Sequence, residues 1–349
     1  MRHEKTINKA MLCLILAAVV PSFASAQEGG YITGSRVCDI FLADIGGFGG
    51  GFAAVGLNFL MLGILGLDGD LSVGDHALGS AVTELSDIPL LLSGSPDGVG
   101  LSLGGAALWG AGSLANLGYG IDSRCADLLY WGKTDLTMYR AYDSYASLRL
   151  RSAAWDNSGF RRHGFLELMA APFDYRIYGK PQPWIALAAG LGSSALMALA
   201  FSANPWEHAV WTTGSWYVGE SPTNPAAFML DNLAYSAVSS VHTGAGEEAV
   251  FRGFLHEELK THFGEAWATV LDTSAFLTMH FFTDLVRGLD WGYIAAHMAV
   301  VAGAGLLNDW AYDVGGLPLA AACHALSDFA AFCFNFLTYG GVPRSAIAQ

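Results

Sequence analysis

Seven ionisable side chains in the C-terminal half of this chain stand among Ala, Leu, Phe and Gly. They are Glu247, Glu248 and Arg252 in Glu-Glu-Ala-Val-Phe-Arg-Gly, His280 and Asp284 in Phe-Leu-Thr-Met-His-Phe-Phe-Thr-Asp, and His324 and Asp328 in His-Ala-Leu-Ser-Asp. A charge at the centre of a membrane helix costs roughly 2.5 to 3.5 kcal/mol on insertion scales, so seven such groups need a compensating arrangement. A shared buried polar site is that arrangement. A carboxylate beside a neutral imidazole can bind a water molecule and take its proton.

Spacing assigns partners within each string. Glu248 and Arg252 are four apart and pair on one helix face, which leaves Glu247 rotated by roughly 100° for other work. Thr243-Gly-Ala-Gly246 predicts a helix opening at the two glutamates, where the positive end of the helix dipole favours their charge. His280 and Asp284, and likewise His324 and Asp328, are also four apart, so each carboxylate can orient its imidazole. A histidine held in one tautomer suits a general acid or a donor to an oxyanion. Taken singly, either pair also reads as an ordinary interhelical hydrogen bond. His256, Glu257 and His262 do not make a zinc-protease string, because their histidines are six apart and share no helix face; they read as an exposed helix end. His297 reads as a core or pore-lining histidine.

The elements that must hold these groups are apolar. Of 349 residues 53% are hydrophobic and 14% charged, with 43 glycines and a mean hydropathy of +0.38. That balance predicts an all-α fold, a multi-span transmembrane helical bundle. A net charge of -14, from 17 Lys and Arg against 31 Asp and Glu, argues against nucleic acid as a partner. Arg2, Lys5 and Lys9 before the apolar run 10–20, with Ala24-Ser-Ala26 after it, read as a secretory signal over 1–26, implying a multi-pass protein of a bacterial inner membrane after Sec-type export.

The rest divides into 27–180, of unknown role, and 181–349, which carries the three strings. Runs 45–67 and 98–118 are long and apolar enough to span, around an acidic stretch 68–97. Nine basic residues between Arg124 and Lys180 place that segment in the cytoplasm, either as amphipathic surface helices or as a solvated loop. One span before it satisfies the charge rule; two would put Cys38 and Cys125 on one side, where they could pair. From Pro181 onward, helices are expected at about 184–203, 225–241, 245–262, 266–287, 291–308 and 316–339.

Glu-Glu-x-x-x-Arg, Phe-x-x-x-His-x-x-x-Asp and His-x-x-x-Asp, in that order on successive membrane helices, resemble the CPBP family of intramembrane endopeptidases, related to the type II CAAX prenyl protease and to bacteriocin-processing and immunity proteins. The likeness covers roughly Trp184 to Tyr339. It implies that Glu247 acts with His280 to activate water, that Glu248 and Arg252 organise the first helix, and that His324 and Asp328 support the oxyanion. The family often has asparagine where Asp284 stands. The resemblance implies a metal-independent glutamate protease without cofactor, although two Glu and two His are also zinc ligands by type. Its partners would be the lipid bilayer and a membrane-associated peptide or protein substrate, with no nucleic acid. A non-catalytic membrane adaptor or immunity-type binding protein is the alternative; a carrier is disfavoured by the lack of repeated broken helices.

Overall fold

Asn224 starts the helix that carries the first string: its side chain accepts from the Ala227 amide at 3.0 Å, and Pro225 takes the first helical position, where no amide hydrogen is needed. The computed structural model describes residues 30–44, 95–116, 123–202 and 204–347; the expected signal segment and the run 45–67 lie outside them. The helices are α1 (Arg36–Asp44), α2 (Gly98–Asn116), α3 (Ser123–Arg151), α4 (Phe165–Ala170), α5 (Gln182–Phe201), α6 (Val210–Thr213), α7 (Pro225–Glu248), α8 (Glu257–Phe263), α9 (Glu265–Val286), α10 (Trp291–Tyr339) and α11 (Arg344–Ile347). A π-helical stretch, Ala249–His256, joins α7 to α8. Two-residue strands Tyr217–Val218 and Ser221–Pro222 pair antiparallel. The described chain is an all-α bundle.

Gly244 and Gly246 do not open a new helix, contrary to expectation; α7 runs through them, and Glu247 and Glu248 close it. Both glycines answer to packing. A Cβ on Gly244 would stand 2.7 Å from the Ala321 carbonyl oxygen, and one on Gly246 would stand 2.7 Å from Asp135 Cα. The helix dipole therefore cannot neutralise the two glutamates. Other elements must supply the donors.

The two last expected helices are joined as α10, but it breaks at Gly316, whose φ of 71° and ψ of -172° are non-helical. Only glycine adopts that conformation at little cost. Pro318, two residues on, has no amide hydrogen for the Val314 carbonyl. Lys180 donates its Nζ to that oxygen at 3.3 Å instead. Each part of α10, about 25 and 23 residues, is long enough to cross a bilayer.

Among the described residues, three helical segments are long and apolar enough to cross a membrane: Gly98–Ala115, Gln182–Phe201 and Trp291–Tyr339. The chain is an integral membrane protein by this measure. α5 exposes Trp184, Leu191, Leu196 and Leu199, as a lipid-facing helix does, while α7 and α9 carry the polar groups of the first two strings.

α3 departs most from expectation. It is neither a surface amphipathic helix nor a solvated loop, for Lys133, Thr134, Asp135, Thr137, Arg140, Asp143, Ser144 and Ser147 are all buried. Its aromatic residues explain the burial: Tyr139, Tyr142 and Tyr145 join Phe251, Phe254 and Phe276 in the main core, and the Tyr145 and Phe254 rings lie 4.7 Å apart. Burying each such ring contributes about 1.5–3 kcal/mol. Polar groups on the same helix find partners across the interface, as when Tyr145 Oη donates to Glu258 Oε2 at 2.7 Å. Cys38 is a free thiol; the side chain of Cys125 lies outside the described residues.

Candidate active site

Glu248 is where the first and third strings meet. Its Oε1 accepts from Arg252 Nη1 at 3.2 Å and from Asn308 Nδ2 at 2.8 Å, and His324 Nδ1 lies 2.6 Å away. The expected Glu248–Arg252 pair is present, fully buried. Arg252 also gives its Nε to Asp309 Oδ1 at 3.1 Å and its Nη2 to the Gly305 carbonyl at 2.8 Å. Its guanidinium sits 5.1 Å over the Phe276 ring. A buried guanidinium persists only with this kind of satisfaction. The π-helical stretch holding Arg252 is an irregularity common at functional sites.

Asn308 and His324 reach one oxygen although both belong to α10. Their Cα atoms would be about 24 Å apart along a straight helix. The break at Gly316 is what brings them together.

Arg252 and the Asn308 amide nitrogen can only donate, so Glu248 Oε1 is an acceptor and His324 donates to it from Nδ1. Its Nε2 then faces Asp328 Oδ2 at 3.5 Å and Glu247 Oε2 at 3.7 Å. Those separations exceed ordinary direct hydrogen bonds. Glu247 is buried, and its Oε2 has no hydrogen-bond partner within the protein.

The second string behaves differently from its spacing. Asp284 does not orient His280; its Oδ2 lies 2.5 Å from Nδ1 of His297, which is therefore no bland core residue. His280 Nδ1 bonds the Phe276 carbonyl one turn back at 3.0 Å, leaving Nε2 as the acceptor nitrogen. No ion pair within 4 Å joins His280 to Glu247 among the described residues. Phe276 links the two histidines sterically, with ring centroids 4.4 Å from His280 and 5.9 Å from His324, and His280 lies 6.3 Å from His297. An i, i+4 spacing allows a pair but does not compel it when a neighbouring helix offers a better partner.

Several residues of this site escaped the sequence reading. Asn308 and Asp309 stand at the end expected for the helix at about 291–308. Asp135, in the basic segment, lies 2.5 Å from His242 Nδ1 and accepts from Thr243 Oγ1 at 3.1 Å, so α3 docks on α7 within two turns of Glu247. A histidine five residues before the glutamate pair, followed by two close-packed glycines, was the available signal. A cavity of about 300 Å³ lined by Tyr142, Arg149, Phe160, Gly253, Glu257 and Tyr312 lies apart from the seven residues.

Residues 229–330 match the family described as Type II CAAX prenyl endopeptidase Rce1-like, a stretch that contains all three strings. No curated protein and no solved structure matches the chain.

Proposed function

We propose, from the CPBP-family match over residues 229–330, that the chain is an intramembrane endopeptidase hydrolysing a peptide bond of a membrane-associated polypeptide. The observation that carries this reading is Glu247 Oε2, buried and without a hydrogen-bond partner, facing His324 Nε2 at 3.7 Å. A carboxylate so held is free to accept a proton from water.

In this mechanism water is the nucleophile; Glu247 takes its proton as it attacks the scissile carbonyl and then passes that proton to the departing amine as the C–N bond breaks. The acceptor nitrogen of His280, left by its Nδ1 contact with Phe276, turns the water toward the carbonyl. His324, with carboxylates at both ring nitrogens, acts as the doubly protonated imidazolium: Nδ1 is fixed by Glu248, and Nε2 donates to the developing oxyanion. Proton transfer of this kind contributes about 10²- to 10⁴-fold and an oxyanion donor about 10²- to 10³-fold. Glu248 and Arg252 are positioning residues: they touch the imidazole and the helices, not the reacting atoms. Asp284 holds His297, whose ring lies 6.3 Å from that of His280.

The decisive experiment compares membrane proteomes of cells carrying the native chain and Glu247→Gln. One polypeptide should accumulate uncut in the variant and reveal both the reaction and its target. Identical proteomes, with biological activity kept in Glu247→Ala, would favour a binding protein instead.

A further inference from the structure

We infer that His256, Asp272 and Asp309 form a binding site for one divalent transition-metal ion of the zinc class, a structural staple separate from the hydrolytic centre. The three residues come from three elements: the π-helical stretch, α9 and α10. All are buried, His256 and Asp272 completely. One ligand atom from each lies within 4.8 Å of the other two.

The separations decide between a metal and simpler explanations. His256 Nδ1 is 3.5 Å from Asp309 Oδ1 and 3.8 Å from Asp272 Oδ2. A protonated imidazole bonded to a carboxylate would close to about 2.7–2.9 Å. Ligands placed about 2.0–2.2 Å from a tetrahedral zinc ion stand about 3.3–3.6 Å from one another, close to what is seen. Neither ring nitrogen of His256 makes a hydrogen bond of standard geometry, and Asp272, whose Oδ2 lies 3.3 Å from Arg252 Nε, makes none either. Buried ring nitrogens left so are costly without a ligand.

Charge and surroundings favour a cation. Glu248, Asp272 and Asp309 are three buried carboxylates around one guanidinium, Arg252, whose Nε contacts both aspartates at 3.3 and 3.1 Å. Arg252 is itself tied to Glu248 and the Gly305 carbonyl, so its charge is shared among three carboxylates and a carbonyl rather than given to the aspartates alone. Thr273 donates to Asp309 Oδ2 at 3.0 Å, fixing that carboxylate with Oδ1 toward the histidine. His256 Nε2 lies 3.9 Å from Glu265 Oε1, beyond hydrogen-bond distance. Neutral Nδ1 coordinates, and Nε2 carries the ring proton.

The test uses untagged full-length protein in detergent, incubated with Zn²⁺ and desalted, with bound metal counted by mass spectrometry. Wild-type protein, Glu247→Gln and His262→Ala should each retain about one equivalent, and Zn²⁺ should raise the melting temperature of each. His256→Ala and Asp272→Asn should bind at least about 100-fold more weakly, beyond the usual effect of losing an outer partner. Co²⁺ in the wild-type protein should give the visible bands of a tetrahedral nitrogen–oxygen site, a readout that needs no variant to fold. No retained metal in the wild type, full stoichiometry in His256→Ala, or loss of metal in Glu247→Gln would each overturn the inference.

Discussion

His324 spans the two adjacent glutamates, its Nδ1 2.6 Å from Glu248 Oε1 and its Nε2 3.7 Å from Glu247 Oε2. One glutamate is thus spent on holding the imidazole, while the other is left to act. Glu247→Gln keeps the shape and removes the proposed base, so peptide cleavage by reconstituted protein should fall about 10²- to 10⁴-fold with an unchanged melting temperature. His324→Ala should lower both, because it strips a donor from Glu248. Wild-type turnover in Glu247→Gln would remove the mechanism.

Asp284 and His297 form a pair that bridges α9 and α10. Asp284→Asn should shift the Nδ1 resonance of His297 in a ¹⁵N-histidine spectrum and leave His280 nearly unmoved, since His280 is held by a backbone carbonyl. Movement of His280 alone would contradict the pairing.

Arg252 makes four contacts from a position of zero exposure. Arg252→Met leaves buried carboxylates without their cation and should cost about 3–5 kcal/mol in unfolding free energy. Arg252→Lys should recover only part of this, because one ammonium cannot reproduce the planar fork. Unfolding in detergent by chemical denaturant provides the comparison.

The Asp135–His242 contact ties the upstream region to the candidate site. A double-mutant cycle of Asp135→Ala with His242→Ala should give a coupling of about 0.5–3 kcal/mol in stability. Strictly additive losses would show that α3 is held by its aromatic residues alone.

Gly246 marks where α3 presses on α7. Gly246→Ala forces a Cβ against the Asp135 backbone and should destabilise by about 1–3 kcal/mol, with lowered activity. Gly192→Ala, in α5 with open space around it, should instead stabilise by about 0.5–1 kcal/mol. Melting temperatures of the two variants should move in opposite directions.

Much of this protein was legible in its residues. Buried charges in apolar surroundings need partners, so composition alone required a helical membrane bundle with a polar site, and the fixed rise of a helix made Glu248 and Arg252 a pair. The helix through Gly244 and Gly246 was misread because a glycine needed for close approach looks, in a sequence, the same as one that ends a helix. α3 was misread because its arginines and lysine resemble a solvated face when the matching carboxylates, such as Glu257 against Arg149, lie about a hundred residues away.

Spacing along one helix set which residues could meet; contacts between helices decided which ones do. Asp284 had His280 within reach and bonded His297, since a neighbouring helix offered its ring nitrogen at 2.5 Å. Asn308 and His324 met on one oxygen only because Gly316 bends the helix they share. Local periodicity is written in the order of residues, whereas the choice among equally available partners depends on distances that exist only after the helices pack.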